Sequence, residues 1–256
     1  MSNPEQARQE YDQIATDYNN QYGASSTSAL ESELVSIALG DNLAGLSILD
    51  LGGGSGIHAR GAVERGAVAV DIVDISPGMM KVAEDIERSL GRNVMRFFES
   101  DAAKSLSHLP LRDTGYDVVM ANWVLDFAET RDVLDAILGN AVRYLKPGGL
   151  FVGARVANPH SVSVKSGRYG VEYAWYKPIP GGIKYKVVVA SDPPIEFEGA
   201  TLDVLCSGSP EVYEKAGLTN VEQIPPGAAR VAQEDPEHWR EFLEDPFFVV
   251  VKAIKK

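Results

Sequence analysis

The sequence holds a single cysteine, Cys206, so it has no intramolecular disulfide and no cysteine metal cluster, which suits a reducing compartment. Basic residues are scarce. Against 36 aspartates and glutamates stand only 24 lysines and arginines, a formal net charge of −12. That balance offers a polyanion no electrostatic footprint, so nucleic acid is not an expected partner. Long apolar runs are also missing. Phe247 to Val251 is far too short to span a bilayer and reads as a strand, so no membrane is expected. The start, Met1-Ser2-Asn3-Pro4-Glu5-Gln6, lacks the basic and apolar regions of a signal peptide, and a cytoplasmic protein is the expectation. No grouping of His, Cys, Asp and Glu has metal-ligand spacing, and no repeat or low-complexity tract occurs.

What is present is glycine at one place. Ile48-Leu49-Asp50-Leu51 is a short apolar run carrying an acid, followed by Gly52-Gly53-Gly54-Ser55-Gly56. Such a run reads as a buried strand turning abruptly into a helix. Glycines there admit positive φ and let a ligand touch the main chain. The helix behind them aims its free N–H groups at the same spot. This predicts a nucleotide-type binding turn in one α/β domain of 256 residues.

The rest of the chain alternates strand and helix around that turn. Residues 5 to 22 predict an irregular helical lead-in, with Tyr11 and Tyr18 seven apart on one face. A second helix follows the Ser25 to Ser28 cluster and stops at Gly40. A helix over about 56–65 precedes a strand over 67–74. Ser76-Pro77 opens another helix, closed at Gly91. Strands are predicted over 93–99, 116–121 and 150–154, with a helix over about 129–145 before the last. Residues 156 to 205 show no clear helix but two β-like runs, 183–190 and 195–205, split by Ser191-Asp192-Pro193-Pro194. A short helix ending at Gly217, a strand over 218–224, a loop from Pro225, a helix over 236–243 and a strand over 247–254 complete the chain.

The pattern predicts a doubly wound, mostly parallel seven-stranded sheet with an antiparallel edge strand and a small β insertion over the active-site edge. A single domain would comprise a lead-in (1–45), a cofactor-binding core (46–155), the insertion on the acceptor side (156–205) and the end of the sheet (206–256). Open α/β sheets bind ligands at the carboxyl ends of their strands. Four features fall there in succession. Asp50 precedes the glycine turn, and Asp74 lies 18 residues after Gly56, where a carboxylate can accept both ribose hydroxyls of an adenosine. Asp101-Ala102 follows the third strand, placed to accept from an adenine amino group. Asn122-Trp123 follows the fourth, beside the point where strand order reverses.

Together these segments resemble the class I S-adenosylmethionine-dependent methyltransferases, with their Rossmann-like fold. Residues 48–56 are similar to the family's glycine motif, and Val70 to Ser76 to its second-strand motif. Ser100 to Ala102 and Asp117 to Phe127 are similar to the next two segments, and Leu145-Lys146-Pro147-Gly148-Gly149 to the turn before strand five. Tyr213 to Val221 and His238 to Phe248 look more narrowly like small-molecule enzymes of the toxoflavin-synthase type. The resemblance implies that Asp50, Gly52 and Gly54 hold the methionine end of S-adenosylmethionine. It also implies that Asp74 holds the ribose, Ile75 and Met79 sandwich the adenine, and Asp101 and Ala102 read its edge. Tyr11 and Tyr18 would form a lid, and Asn122 and Trp123 would complete the cofactor site. S-adenosylhomocysteine would be the product.

Methyl transfer rests mainly on alignment and water exclusion, and a general base is needed only for a protonated acceptor. His160 and Asp126 are the candidate bases, with Tyr22 and Asn158 as orienting groups. Trp123, Phe127, Trp175 and Tyr176 are candidates for an apolar acceptor pocket. His58 is expected to pack or meet solvent. The expected partner is a small-molecule acceptor methylated on N, O or C, in natural-product biosynthesis, by a monomer or homodimer. The rival reading is an NAD(P)-dependent oxidoreductase, since Gly54-x-Gly56-x-x-Ala59 fits a dinucleotide turn. Asp50 speaks against it, because a carboxylate beside the turn repels a pyrophosphate. A non-catalytic S-adenosylmethionine-binding protein is the third reading. Asp192-Pro193-Pro194-Ile195 superficially matches amino-methylating enzymes of DNA, but it lacks the final aromatic and lies in the insertion.

Overall fold

The computed structural model describes residues 4–256; the first three residues of the polar start lie outside them. A seven-stranded sheet is assembled from β1 (Ser47–Leu51), β2 (Ala69–Asp74), β3 (Met95–Glu99), β4 (Tyr116–Met120), β5 (Leu145–Val156), β9 (Leu218–Ile224) and β10 (Phe248–Lys255). Its order is β3-β2-β1-β4-β5-β10-β9. The first five strands run parallel. β10 enters antiparallel between β5 and β9, and β9 forms that edge of the sheet. Strand order reverses between β1 and β4, where Asp50 lies opposite Ile72 on one side and Met120 on the other. All five residues of β1 are buried, as a central parallel strand covered on both faces requires.

Alternation divides the core. Ile48 packs with Leu30 and Leu34 on one face, whereas Leu49 and Leu51 join Leu138, Phe151 and Tyr213 on the other. The first face is covered by α2 (Ser26–Leu39) and α3 (Ile57–Glu64), the second by α5 (Arg131–Tyr144) and α8 (Glu211–Ala216). Caps fix where these helices begin. Ser25 Oγ accepts from Ser28 N–H at 3.1 Å, and Ser76 Oγ accepts from Met79 N–H at 3.1 Å at the head of α4 (Pro77–Ser89). Among the described residues no helix is long and apolar enough to cross a membrane.

Beyond β5 the chain departs from the sequence-based outline. Residues 156–205 contain a short α6 (Val162–Lys165) and three antiparallel strands, β6 (Val171–Ile179), β7 (Gly182–Val189) and β8 (Ile195–Leu202), where two runs are predicted. β6 hides in the sequence because its ladder with β7 shifts register between Tyr173 and Tyr176, which breaks the two-residue alternation. The second predicted run ends in α7 (Asp203–Cys206) rather than as strand. The expected loop after Pro225 holds α9 (Arg230–Glu234), and the helix predicted over 236–243 is α10 (Arg240–Glu244). The lead-in is α1 (Pro4–Asp17), continued by a wider π-helical turn over Tyr18–Tyr22.

Candidate functional site

The glycine turn is built for close approach. Gly52, Gly54 and Gly56 have φ of +69°, +52° and +76°, which side chains rarely adopt. A Cβ on Gly52 would sit 2.7 Å from Val124 Cβ, and one on Gly53 would meet the Asp50 carboxyl at 2.8 Å. The turn is therefore pressed between β1 and the segment after β4. It opens on a cavity of about 410 Å³ at the carboxyl edge of the sheet.

Asp50 lines that cavity at 1% exposure, and its Oδ1 has no hydrogen-bond partner. Burial pushes its carboxyl up to about 7; the nearby His58 opposes that shift and Asp74 adds to it. A buried carboxyl oxygen left unpaired is costly unless a donor comes to it. Asp74, at the end of β2, accepts from Gly54 N–H and Ser76 N–H, each at 2.8 Å. Burial raises its pKa, while the amides of Ser76, Gly54 and Ile75 favour the charged form. Those two bonds leave lone pairs for further donors. Asp101 Oδ1 accepts from Ala103 N–H at 2.8 Å and shapes the turn after β3. Ile75, Met79, Asp101 and Ala102 share the cavity wall with Asp74.

After β4, Asn122 Oδ1 accepts from Ala154 N–H at 3.0 Å while its Nδ2 is buried without a partner. Trp123 has φ of +64°, an uncommon conformation for a bulky residue and one that clusters at functional sites. Its indole Nε1 donates to Glu31 Oε1 at 2.7 Å. Glu31, on α2 and 1% exposed, is the hub that the sequence did not announce. It also accepts from Tyr22 Oη at 2.5 Å and from His58 Nε2 at 2.7 Å. Burial works to lower the His58 pKa, but the charge and hydrogen bond of Glu31, with Asp50 behind them, raise it overall. His58 thus lines the cavity instead of merely packing or meeting solvent. A polar residue in mid-α2 that belongs to no motif gives no local signal of its role; only the fold unites Glu31 with His58, 27 residues away.

The lead-in closes the cavity from above. Tyr11 and Tyr18 do share a face, with ring centroids 5.7 Å apart, and Tyr18 stacks on Tyr22 at 4.9 Å. Asp12 Oδ1 accepts from Ser76 Oγ at 2.6 Å and from Gly78 N–H at 2.9 Å, fastening α1 to the head of α4. Glu10 Oε2 accepts from Glu198 N–H at 3.1 Å, fastening α1 to β8. Lys184 pairs with Glu198 at 2.6 Å and Glu129 at 3.1 Å across the same wall.

The structure brings together Tyr11, Tyr18, Tyr22, Asp50, Gly52, Gly54, Asp74, Ile75, Met79, Asp101, Ala102, Asn122, Trp123 and Phe127 around this one cavity. It does not bring His160, Asn158, Trp175 or Tyr176 there. His160 is exposed, with its ring 4.7 Å from that of Tyr176, and Tyr176 Oη donates to Pro159 O at 3.0 Å. Asn158 donates to Asp245 Oδ1 at 2.9 Å, and Asp245 also holds Val162 N–H at 2.9 Å. That clasp draws the loop after β5 toward the chain's end and away from the cavity. Asp126 lies instead on a second, smaller cavity of about 50 Å³ that shares Tyr11, Tyr18, Tyr22, Trp123 and Phe127 with the first.

The pattern of the methyltransferase-domain family matches residues 48–149, from the glycine turn to the turn inside β5. The match covers the strands and turns that carry the glycine turn, and it is a likeness to methyltransferase domains over that part of the chain. The chain is 30% identical over 155 residues to a malonyl-[acyl-carrier protein] O-methyltransferase of Geobacter sulfurreducens, covering 60% of this chain and 54% of that relative. The chain spans about half or less of the length of the curated relatives it matches. In three dimensions it is similar to the CcbJ methyltransferase from Streptomyces caelestis, at 20% identity and a TM-score of 0.63 over 96% of this chain and 97% of that one. It is also similar to the [4+2]-cyclase SpnF, at 17% identity and a TM-score of 0.61 over 98% and 96%. At these identities the likeness is one of fold. The matched residues include Asp50, Asp74, Asp101 and Asn122, whereas Tyr11, Tyr18, Tyr22 and Glu31 lie outside them.

Proposed function

We propose that this chain transfers a methyl group from S-adenosylmethionine to nitrogen, oxygen or carbon of a small metabolite, in natural-product chemistry. The observation that carries this reading is Asp50, buried, lining the cavity at the glycine turn and holding an unpaired oxygen. An α-ammonium satisfies that oxygen, whereas a pyrophosphate would be repelled by it. His58, whose pKa the charge and hydrogen bond of Glu31 raise, stands near Asp50 and, when protonated, suits the α-carboxylate of the same amino acid group. An ionised Asp50 beside a protonated His58 would match the zwitterionic end of the cofactor. Asp74 would accept from the ribose hydroxyls, Ile75 and Met79 would flank the adenine, and Asp101 with Ala102 would bind its edge.

When bound, the cofactor supplies an electrophilic methyl group on a sulfonium. The chain's own part is positioning and exclusion of water. Tyr11, Tyr18 and Phe127 roof the cavity with ring contacts of 5.7 and 5.8 Å, and α1 is pinned on both sides by Asp12 and Glu10. The insertion, through Lys184, Glu198 and Gly199, forms the acceptor side. A metabolite panel incubated with protein and S-adenosylmethionine should yield one product heavier by a single methyl group, together with S-adenosylhomocysteine. A product rearranged at constant mass would instead place the chain with cyclising members of the fold.

A further inference from the structure

We propose that the smaller cavity is the seat of a basic nitrogen and that the methyl acceptor is an amine. The inference rests on the methyltransferase reading above and narrows its acceptor. The cavity of about 50 Å³ has room for roughly three or four heavy atoms, the size of an aminomethyl group or its methylated forms. Tyr11, Tyr18, Tyr173, Tyr185 and Phe197 are among its walls, and Asp126 is the one carboxylate among the described residues that line it. Tyr173 and Tyr185 stack at 4.3 Å, and Tyr11 lies 5.2 Å from Phe197. Ring faces attract a cation more strongly than a neutral alcohol and disfavour a carboxylate.

Asp126 supplies the matching charge. It is 3% exposed; its Oδ2 accepts from Val156 N–H at 3.0 Å, and its Oδ1 is buried without a partner. An ammonium answers that oxygen, while a carboxylate-bearing head would be repelled by it. Burial pushes the Asp126 carboxyl up to about 7, against the opposing Val156 amide, Thr201 hydroxyl and Arg155. A group poised there can also take a proton: R–NH3⁺ and the carboxylate become R–NH2 and the carboxylic acid, which frees the nitrogen lone pair. Because the shared residues Tyr11, Tyr18, Trp123 and Phe127 border both cavities, a nitrogen held in the small one faces the large one. The remainder of the acceptor would extend along the insertion.

Calorimetry with protein saturated with S-adenosylhomocysteine tests this, using benzylamine, N-methylbenzylamine and benzyl alcohol as probes. Both amines should bind roughly tenfold tighter than the alcohol. Asp126→Asn, which keeps the acceptor for Val156, should bring amine and alcohol within twofold. Tyr185→Leu should weaken the amines several-fold without helping the alcohol, and serves if Asp126→Asn fails to fold. Equal binding of amine and alcohol by the wild-type protein overturns the inference, as does no amine binding or a preference that survives Asp126→Asn. Failure to bind S-adenosylhomocysteine at all would instead sink the methyltransferase reading.

Discussion

Asp50 is where a single residue decides most. Its ordinary carboxyl value is 3.8 and its value in the fold is about 7, so the folded state holds the proton more tightly than the unfolded one. The sign follows: stability associated with Asp50 is full below the ordinary value and is lost as pH rises through about 7. Asp50→Asn should therefore flatten the fall in thermal stability of the ligand-free protein between pH 4 and 7, measured by calorimetric melting. The ligand has the opposite demand, because an ammonium needs the ionised carboxylate. S-adenosylhomocysteine should bind roughly tenfold more weakly at pH 6 than on its plateau above pH 7, and Asp50→Asn should erase that rise. Glu31 makes a second prediction at this scale. Glu31→Ala strands the Tyr22 hydroxyl, the Trp123 indole and the His58 imidazole, three donors to one buried acid. It should cost about 3 kcal/mol in denaturant unfolding, and an unchanged midpoint would deny the hub.

Among elements, the glycine turn and α1 matter most. Gly52→Ala puts a Cβ 2.7 Å from Val124 at a φ of +69°, so both the turn and the segment carrying Trp123 must shift. Cofactor affinity should fall at least tenfold by calorimetry while far-ultraviolet circular dichroism is kept. Asp12→Ala removes the clasp of α1 on Ser76 and Gly78, and limited proteolysis should then cut within α1 sooner. Elements were unevenly legible in the sequence. Strands β1, β2 and β4 could be read because buried parallel strands are short, largely apolar runs bounded by glycines and acids. Tyr11 and Tyr18 could be paired because a spacing of seven returns to the same helix face. β6 could not, because its shifted register hides alternation, and His160 and Asn158 went astray because no local pattern shows Asp245 drawing their loop away. Glu31 was missed for the same reason, since its three partners come from three distant segments.

At the scale of the molecule, two covers meet over one sheet edge. The lead-in and the β insertion are joined by Glu10 to Glu198 and braced by Lys184, so the cavity is roofed in part by segments outside residues 48–149, the stretch similar to methyltransferase domains. The far face is held by Arg155, 2% exposed, whose Nε donates to Tyr213 Oη at 3.0 Å. Tyr213→Phe leaves that buried cation short of a partner and should lower stability by about 2 kcal/mol, roughly 4–8 °C in Tm for a chain of this size. Cofactor affinity should stay unchanged, because neither residue lines the cavity. On the proposed function the glycine-turn cavity takes an adenosyl amino acid through Asp50. Titration calorimetry of the wild-type protein and Asp50→Asn with S-adenosylmethionine, S-adenosylhomocysteine and NAD tests it most directly. Binding of both sulfur compounds by the wild type, weakened at least tenfold on Asp50→Asn, with no heat from NAD, is the predicted result; tight NAD binding with silence toward both sulfur compounds would contradict it.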